Sequence, residues 1–241
     1  MDFFDTHIHL QDFADTNVIN LLKEGQISKC ICISAKQTDW QKVADIYEKY
    51  PDTIVPAFGL HPWYVHEKTS DWAKQLETYL QKYPLSLIGE CGFDRLKNKD
   101  FDIQKDVFLS QINLAKKYNR TLLVHAVKAD IWLKEFWDIL PPKTVFHSFN
   151  AHLEQLKPII QNDFYVALNI KVLQNKDGAE IIRQIPKNRI LFETDAPYQS
   201  NVADLQKLLQ KIASILNENL EELSSRLYAN ATEIIKNDNK I

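Results

Sequence analysis

Eight short apolar runs rich in Val, Ile and Phe recur along the chain, with helix-patterned stretches between them. This rhythm constrains the fold more than any other feature. The runs are "FFDTHIHL" (3–10), "KCICIS" (29–34), "IVPAFGLHP" (54–62), "LSLIGECGF" (85–93), "TLLVHAV" (121–127), "KTVFHSFN" (143–150), "FYVALNI" (164–170) and "RILFETDAPY" (189–198). Near-continuous apolar runs mark strands buried on both faces, as in parallel sheets. Between them, "DWQKVADIYEKY" (39–50) sets Val43, Ile46 and Tyr47 on one helical face. "FDIQKDVFLSQINLAKKY" (101–118) does the same with Ile103, Val107, Phe108, Ile112 and Ala115. The last stretch reads as two helices, 201–216 and 219–236. Repeated strand–helix units predict an α/β fold with a parallel sheet. Eight units in 241 residues fit a closed (β/α)8 TIM-type barrel, typically about 250 residues long. A doubly wound open sheet is the alternative. No linker, low-complexity segment or charge block divides the chain, so one domain is expected over 1–241.

Composition narrows the function. A hydrophobic fraction of 45% supplies a sizeable core and argues against disorder. A net charge of −3 offers no global attraction for nucleic acid, so a polyanion would need a local basic patch or metal ions. Cys30, Cys32 and Cys91 fit neither a disulfide framework nor a cysteine-rich zinc site; they suit a reducing, cytoplasmic interior. No run is long enough for a transmembrane helix, and the N-terminus lacks a signal pattern, so no membrane association is expected. Neither GxGxxG nor GxxxxGK[ST] occurs, which argues against nucleotide-cradling loops. Nothing points to an obligate protein partner.

The polar residues within the runs carry the chemistry. In an extended chain Asp5, His7 and His9 share one face, with Phe4, Thr6 and Ile8 on the other. His61 follows the third run, and Glu90, His125, His147 and Asp195 end the fourth, fifth, sixth and eighth. Barrels of this kind build their active sites at that end of the strands. His66 and His152 read as loop or helix-start residues. His61 alone could equally be a hydrogen-bonded core histidine. Buried carboxylates need a cation, and the nearest, Arg95 and Arg189, fall in a loop and at the opposite strand end. Two carboxylates and four histidines converging on one rim therefore predict metal. Six ligands exceed the roughly three of one catalytic ion, so two divalent ions are expected. The natural division gives His7, His9 and Asp195 to one ion and His125 and His147 to the other, with Glu90 bridging. Zn, Mn, Mg, Fe and Co all remain open. Asp195 is also the expected general base, and His61, Asp94, Arg95 and Lys128 are candidate substrate contacts.

The chain resembles the TatD-type metal-dependent hydrolases, a branch of the amidohydrolase-like barrels. The resemblance rests on "DTHIHL" (5–10), "GLHPW" (59–63), "IGECGFD" (88–94), "FLSQINLAKKYNRTLLVHA" (108–126), "VFHSFN" (145–150), "IPKNRILFETDAPY" (185–198) and "LYANATEII" (227–235). It implies a TIM-type barrel, two divalent metals and phosphodiester hydrolysis, usually of DNA. The family's metal positions match His7, His9, Glu90, His125, His147 and Asp195. Three departures stand out. The family commonly has His-x-Arg where this chain has His125, Ala126 and Val127. It often has G-L-D-Y where this chain has Gly92, Phe93, Asp94 and Arg95. "QSNVADLQKLL" enters a helix almost at once, where the family's segment is usually longer. DNA or a small phosphodiester is the expected substrate. A non-phosphate hydrolase (amidase, lactonase or deaminase) on the same barrel is the first rival, and a non-catalytic barrel that binds metal or a partner is the second.

Overall fold

The structure, a computed structural model, describes residues 2–13 and 17–236. Its first half runs β1 (Phe3–Ile8), α1 (Val18–Glu24), β2 (Ile27–Ile33), α2 (Trp40–Lys49), β3 (Ile54–Phe58), α3 (Trp72–Lys82), β4 (Leu87–Asp94) and α4 (Phe101–Tyr118). The second half runs β5 (Leu122–Val127), the single turn α5 (Asp130–Leu133), β6 (Thr144–Phe146), α6 (Leu153–Gln161), β7 (Tyr165–Leu168), α7 (Gly178–Gln184), β8 (Ile190–Phe192), α8 (Asp204–Leu216) and α9 (Leu220–Ile235). Local chemistry marks the ends. Asn17, Asp100 and Asn219 cap α1, α4 and α9 by accepting from first-turn N–H groups. Asn119 and Asn217 stop α4 and α8 in the left-handed conformation that Asn tolerates.

Each of the eight runs forms a strand. Neighbouring strands pair in parallel, in the order β1 to β8. The β8–β1 seam closes differently. Past the end of β8, Asp195 N donates to His7 O at 2.8 Å, and His9 N donates to Ala196 O at 2.9 Å. Side chains complete the seam. Thr6 Oγ1 donates to Phe192 O at 2.7 Å, while Asp5 accepts from Thr194 N at 3.0 Å and Thr194 Oγ1 at 2.6 Å. The sheet thus returns on itself as a (β/α)8 barrel. Asp5, which shares its sequence alternation with His7 and His9, is part of this latch.

Alternation along the strands sorts the apolar residues into two layers. One set, including Ile31, Ile33, Val55, Leu123, Val145 and Leu191, fills the barrel interior, with Ala231 and Ile234 of α9 packed against it. The other, including Cys30, Cys32, Ile54, Phe58, Val124 and Val166, packs outward beneath the helices. The site residues continue the inner rows two positions on. Leu123 leads to His125, Val145 to His147, and Leu191 to Glu193.

Two strands break the rule. In β1, Phe4 belongs to the inner cluster and Ile8 to the outer one, so they do not share a face as strict alternation predicts. The cause is a register shift against β2 between Asp5 and Ile8. In β4 a second shift lies between Ile88 and Cys91, both outward-facing. It turns Glu90 inward, where strict alternation from Leu87 would turn it out. β4 also runs on to Asp94, so Glu90 sits within the strand and not at its end. β8, by contrast, stops at Phe192, and Asp195 lies in the loop beyond with φ of 53°. No helix among the described residues is long and apolar enough to cross a membrane.

Candidate metal centre

Glu90 is the centre of the arrangement, buried at the carboxyl end of the barrel. Its two oxygens face different groups. Oε1 lies 2.7 Å from His147 Nε2, 2.8 Å from His125 Nδ1 and 3.2 Å from His61 Nε2. Oε2 lies 3.5 Å from His7 Nε2 and 3.7 Å from His9 Nε2. On the Oε2 side, His7 Nε2 and His9 Nε2 are 3.3 Å apart, and Asp195 Oδ1 is 3.4 Å from His9 Nε2. On the Oε1 side, His125 Nδ1 and His147 Nε2 are 3.2 Å apart. All six sequence-predicted ligands therefore meet in one site, in two groups that share one carboxylate. His66 and His152 lie outside it, beside Asp100 and Asp177.

β4 brings Glu90 into place through its glycines. Gly92 has φ of 128°, and a Cβ there would come within 2.2 Å of His125 O. Only glycine allows β4 and β5 to approach so closely beside these two residues.

The donor set fits divalent metal. Neither arginine offered by the sequence neutralises the carboxylates, because Arg95 donates to Lys128 O and Arg189 pairs with Asp163. The imidazoles take on that role electrostatically. Burial alone would lower the pKa of His9, His125 and His147, yet bonds and charges from Asp195, Asp94, Glu193 and Glu90 hold all three above the ordinary value. Burial would raise Glu90 and Asp195, yet the surrounding histidines hold both below the usual carboxylate range. His7 Nδ1 is buried without a hydrogen-bond partner. Two pairs of ring nitrogens facing each other across shared carboxylate oxygens form a donor set suited to Zn-, Mn-, Fe- or Co-type ions.

His61 plays a different part. Its Nδ1 accepts from Trp63 N at 3.1 Å, and burial pushes its pKa down to about 4. The ring is therefore neutral at pH 7, with its proton on Nε2. It presents an N–H donor to the centre.

Asp94 is buried. Its Oδ2 lies 3.2 Å from His125 Nε2 and accepts from Trp63 Nε1 at 2.6 Å. Its Oδ1 accepts from Leu96 N and Lys97 N at 2.8 and 2.9 Å. Arg95 is exposed, with its guanidinium 5.2 Å over the Trp132 ring. Lys128 is exposed, and its φ of 53° ends the strand alternation that would point it away. Lys128 and Val127 line a cavity of about 950 Å³ together with His147, Trp137, Phe149 and Lys171.

Glu193 belongs to the site although the sequence reading passed over it. It is buried; its Oε1 accepts from Ser148 N at 2.5 Å and lies 3.6 Å from His147 Nδ1. The available signal was its period-two spacing with Asp195 in "FETD".

Known proteins resemble this chain in sequence and in fold. The family model described as TatD related DNase matches residues 4–236. An uncharacterized metal-dependent hydrolase, YabD of Bacillus subtilis, is 26% identical, covering 97% of this chain and 98% of that protein. The 3'-5' ssDNA/RNA exonuclease TatD of Pantoea ananatis is also 26% identical, covering 90% of this chain and 91% of its own. The crystal structure of the TatD homologue YJJV from Escherichia coli superposes with a TM-score of 0.87 at 22% identity, covering 96% of this chain and 97% of that one, and shares the fold. The chain belongs to the TatD-related DNase family of metal-dependent hydrolases.

Proposed function

We propose that this chain hydrolyses phosphodiester bonds, as a deoxyribonuclease-like enzyme, at a centre of two divalent ions. The observation that carries the reading is the pair of Glu90 oxygens, each facing its own histidine group. His7, His9 and Asp195 would hold one ion and His125 and His147 the other, with Glu90 shared between them. Divalent metal in such a site supplies Lewis-acid polarisation of the scissile group and lowers the pKa of water. The remaining chemistry belongs to side chains. Asp195, kept ionised by His9 and by the charges of His7 and His147, takes the proton of the attacking water and returns it to the leaving oxygen. His61 offers its Nε2 proton to an oxygen of the bound substrate. Buried, unpaired Cys30, Cys32 and Cys91 favour a reducing, cytoplasmic setting.

The test is a substrate panel run on metal-reconstituted protein: an oligodeoxynucleotide, a small phosphodiester, an amide and a lactone. The expected result is phosphodiester turnover that chelation abolishes. Turnover of the amide or lactone alone would overturn the reading.

A further inference from the structure

Two aromatic rings stand open at the mouth of the barrel with their polar atoms tied down. Trp63 is 44% exposed, although its Nε1 is held by Asp94. Its ring stands edge-on to His61, with centroids 5.0 Å apart, and lies 6.4 Å from His125. Tyr198 is 61% exposed, and its hydroxyl donates to Asp12 Oδ2 at 2.9 Å. Its ring is edge-on to His9 at 5.2 Å. His125 and His9 face opposite oxygens of Glu90, so the two rings flank the centre from opposite sides.

Cations gather at the same rim. Lys97 lies 5.4 Å over Trp63, Lys36 lies 5.6 Å over Tyr64, and Arg95 lies over Trp132. The Lys36–Tyr64 and Arg95–Trp132 pairs join different loops at the carboxyl end of the strands. At the other end Lys82 lies over Tyr83 and Lys117 over Tyr118, each over its own sequence neighbour, and Arg189 lies over Tyr165. In a chain of net charge −3, these three cations stand beside a site with exposed aromatic rings.

We propose that Trp63 and Tyr198 are stacking platforms for the bases on either side of the scissile bond of a single-stranded nucleic acid. Lys36, Arg95 and Lys97 meet its flanking phosphates. The proposal rests on the phosphodiester reading above. Every base has a face to stack, so the platforms tolerate sequence, while a duplex keeps its bases paired and stacked on one another. Losing one base–aromatic stack costs about 5- to 150-fold in affinity.

The experiment is a cycle between protein and substrate. The KM of metal-loaded protein is measured for a single-stranded oligodeoxynucleotide and for the same strand with an abasic position on one side of the cleaved bond. Wild type, Trp63→Leu, Trp63→Phe and Tyr198→Leu are compared. In the wild type an abasic position should raise KM within the stated range. In Tyr198→Leu the penalty should vanish on one side, and in Trp63→Leu on the other. Trp63→Phe keeps a ring but loses the N–H to Asp94, so it should retain the penalty and separate stacking from that hydrogen bond. Cleavage with the same abasic penalty in all four proteins would overturn the stacking proposal alone. No cleavage of any phosphodiester by the wild type would overturn the underlying reading, and this proposal with it.

Discussion

Asp94→Asn should weaken one metal site and spare the other. The wild-type carboxylate meets four donors: Trp63 Nε1, His125 Nε2 and the N–H groups of Leu96 and Lys97. An amide has one acceptor oxygen, so its NH2 must face two of these donors whichever way it turns. If the oxygen keeps the backbone pair, His125 loses the acceptor that holds its proton on Nε2. The proton can then move to Nδ1, the nitrogen that faces Glu90 and His147. Loss of a partner that orients a ligating histidine costs about 10- to 100-fold in metal affinity, or about 1.4–2.8 kcal/mol. The loss should fall on the ion between His125 and His147, because Asp94 touches nothing in the His7–His9–Asp195 group. Competitive titration of Zn or Mn against a chromophoric chelator resolves the two affinities. Equal weakening of both sites would point to general destabilisation and refute the positioning role. Two affinities within about twofold of wild type would refute it as well.

Asp195→Asn should lower kcat by about 10²–10⁴ while metal content stays near wild type; turnover with elemental analysis checks this, and near-normal turnover would remove Asp195 from the base role. Asp5→Ala should cost about 3 kcal/mol or more, because it strips the acceptor from His7 N, Thr194 N and Thr194 Oγ1 within the seam. Burial raises the Asp5 carboxyl from 3.8 to about 7, so the folded state keeps a proton that the unfolded chain releases. Wild-type stability should therefore fall as pH rises between about 4 and 7, by up to about 4 kcal/mol, while Asp5→Asn escapes that loss. Urea midpoints at pH 5 and 8 in chelator test this, and a pH-independent gap between the two proteins would contradict it. Metal binding should release protons and weaken as pH falls, because His9, His125 and His147 have pKa values held above normal by the carboxylates. Calorimetry in two buffers of different ionisation enthalpy measures the release, and a value of zero would count against the assignment.

The barrel was legible because a closed parallel sheet demands apolar runs at regular intervals, and all eight stand in the sequence. The long amphipathic helices were legible for a similar reason: α4 spans the residues its apolar stripe predicts, Phe101–Tyr118. The six candidate ligands were visible as polar interruptions in runs that should be apolar. What a partner atom decides was not visible. Asp94 reads as a loop charge until the structure sets it behind His125. His61 reads as either ligand or core residue until the N–H of Trp63 takes its Nδ1. Glu193 hides because a carboxylate beside Asp195 looks like a neighbour sharing the same loop.

Alternation itself is the deeper reason the site exceeds the pattern. Period two carries His125, His147 and Glu193 inward from Leu123, Val145 and Leu191, but it would send Glu90 into the outer layer with Ile88. The register shift that reverses this lies between Ile88 and Cys91, in a stretch that begins Gly89-Glu90. Both Gly89, with φ of 153°, and Gly92 occupy conformations that side chains rarely adopt. A Cβ at Gly89 would lie 2.7 Å from the Leu123 side chain, and one at Gly92 would strike the backbone of His125. In "IGECGFD" the two glycines thus do for position what Glu90 does for charge. They let β4 shift register against β5, so that one carboxylate faces His7 of β1 and His9 just past it on one side, and His125 of β5 and His147 just past β6 on the other.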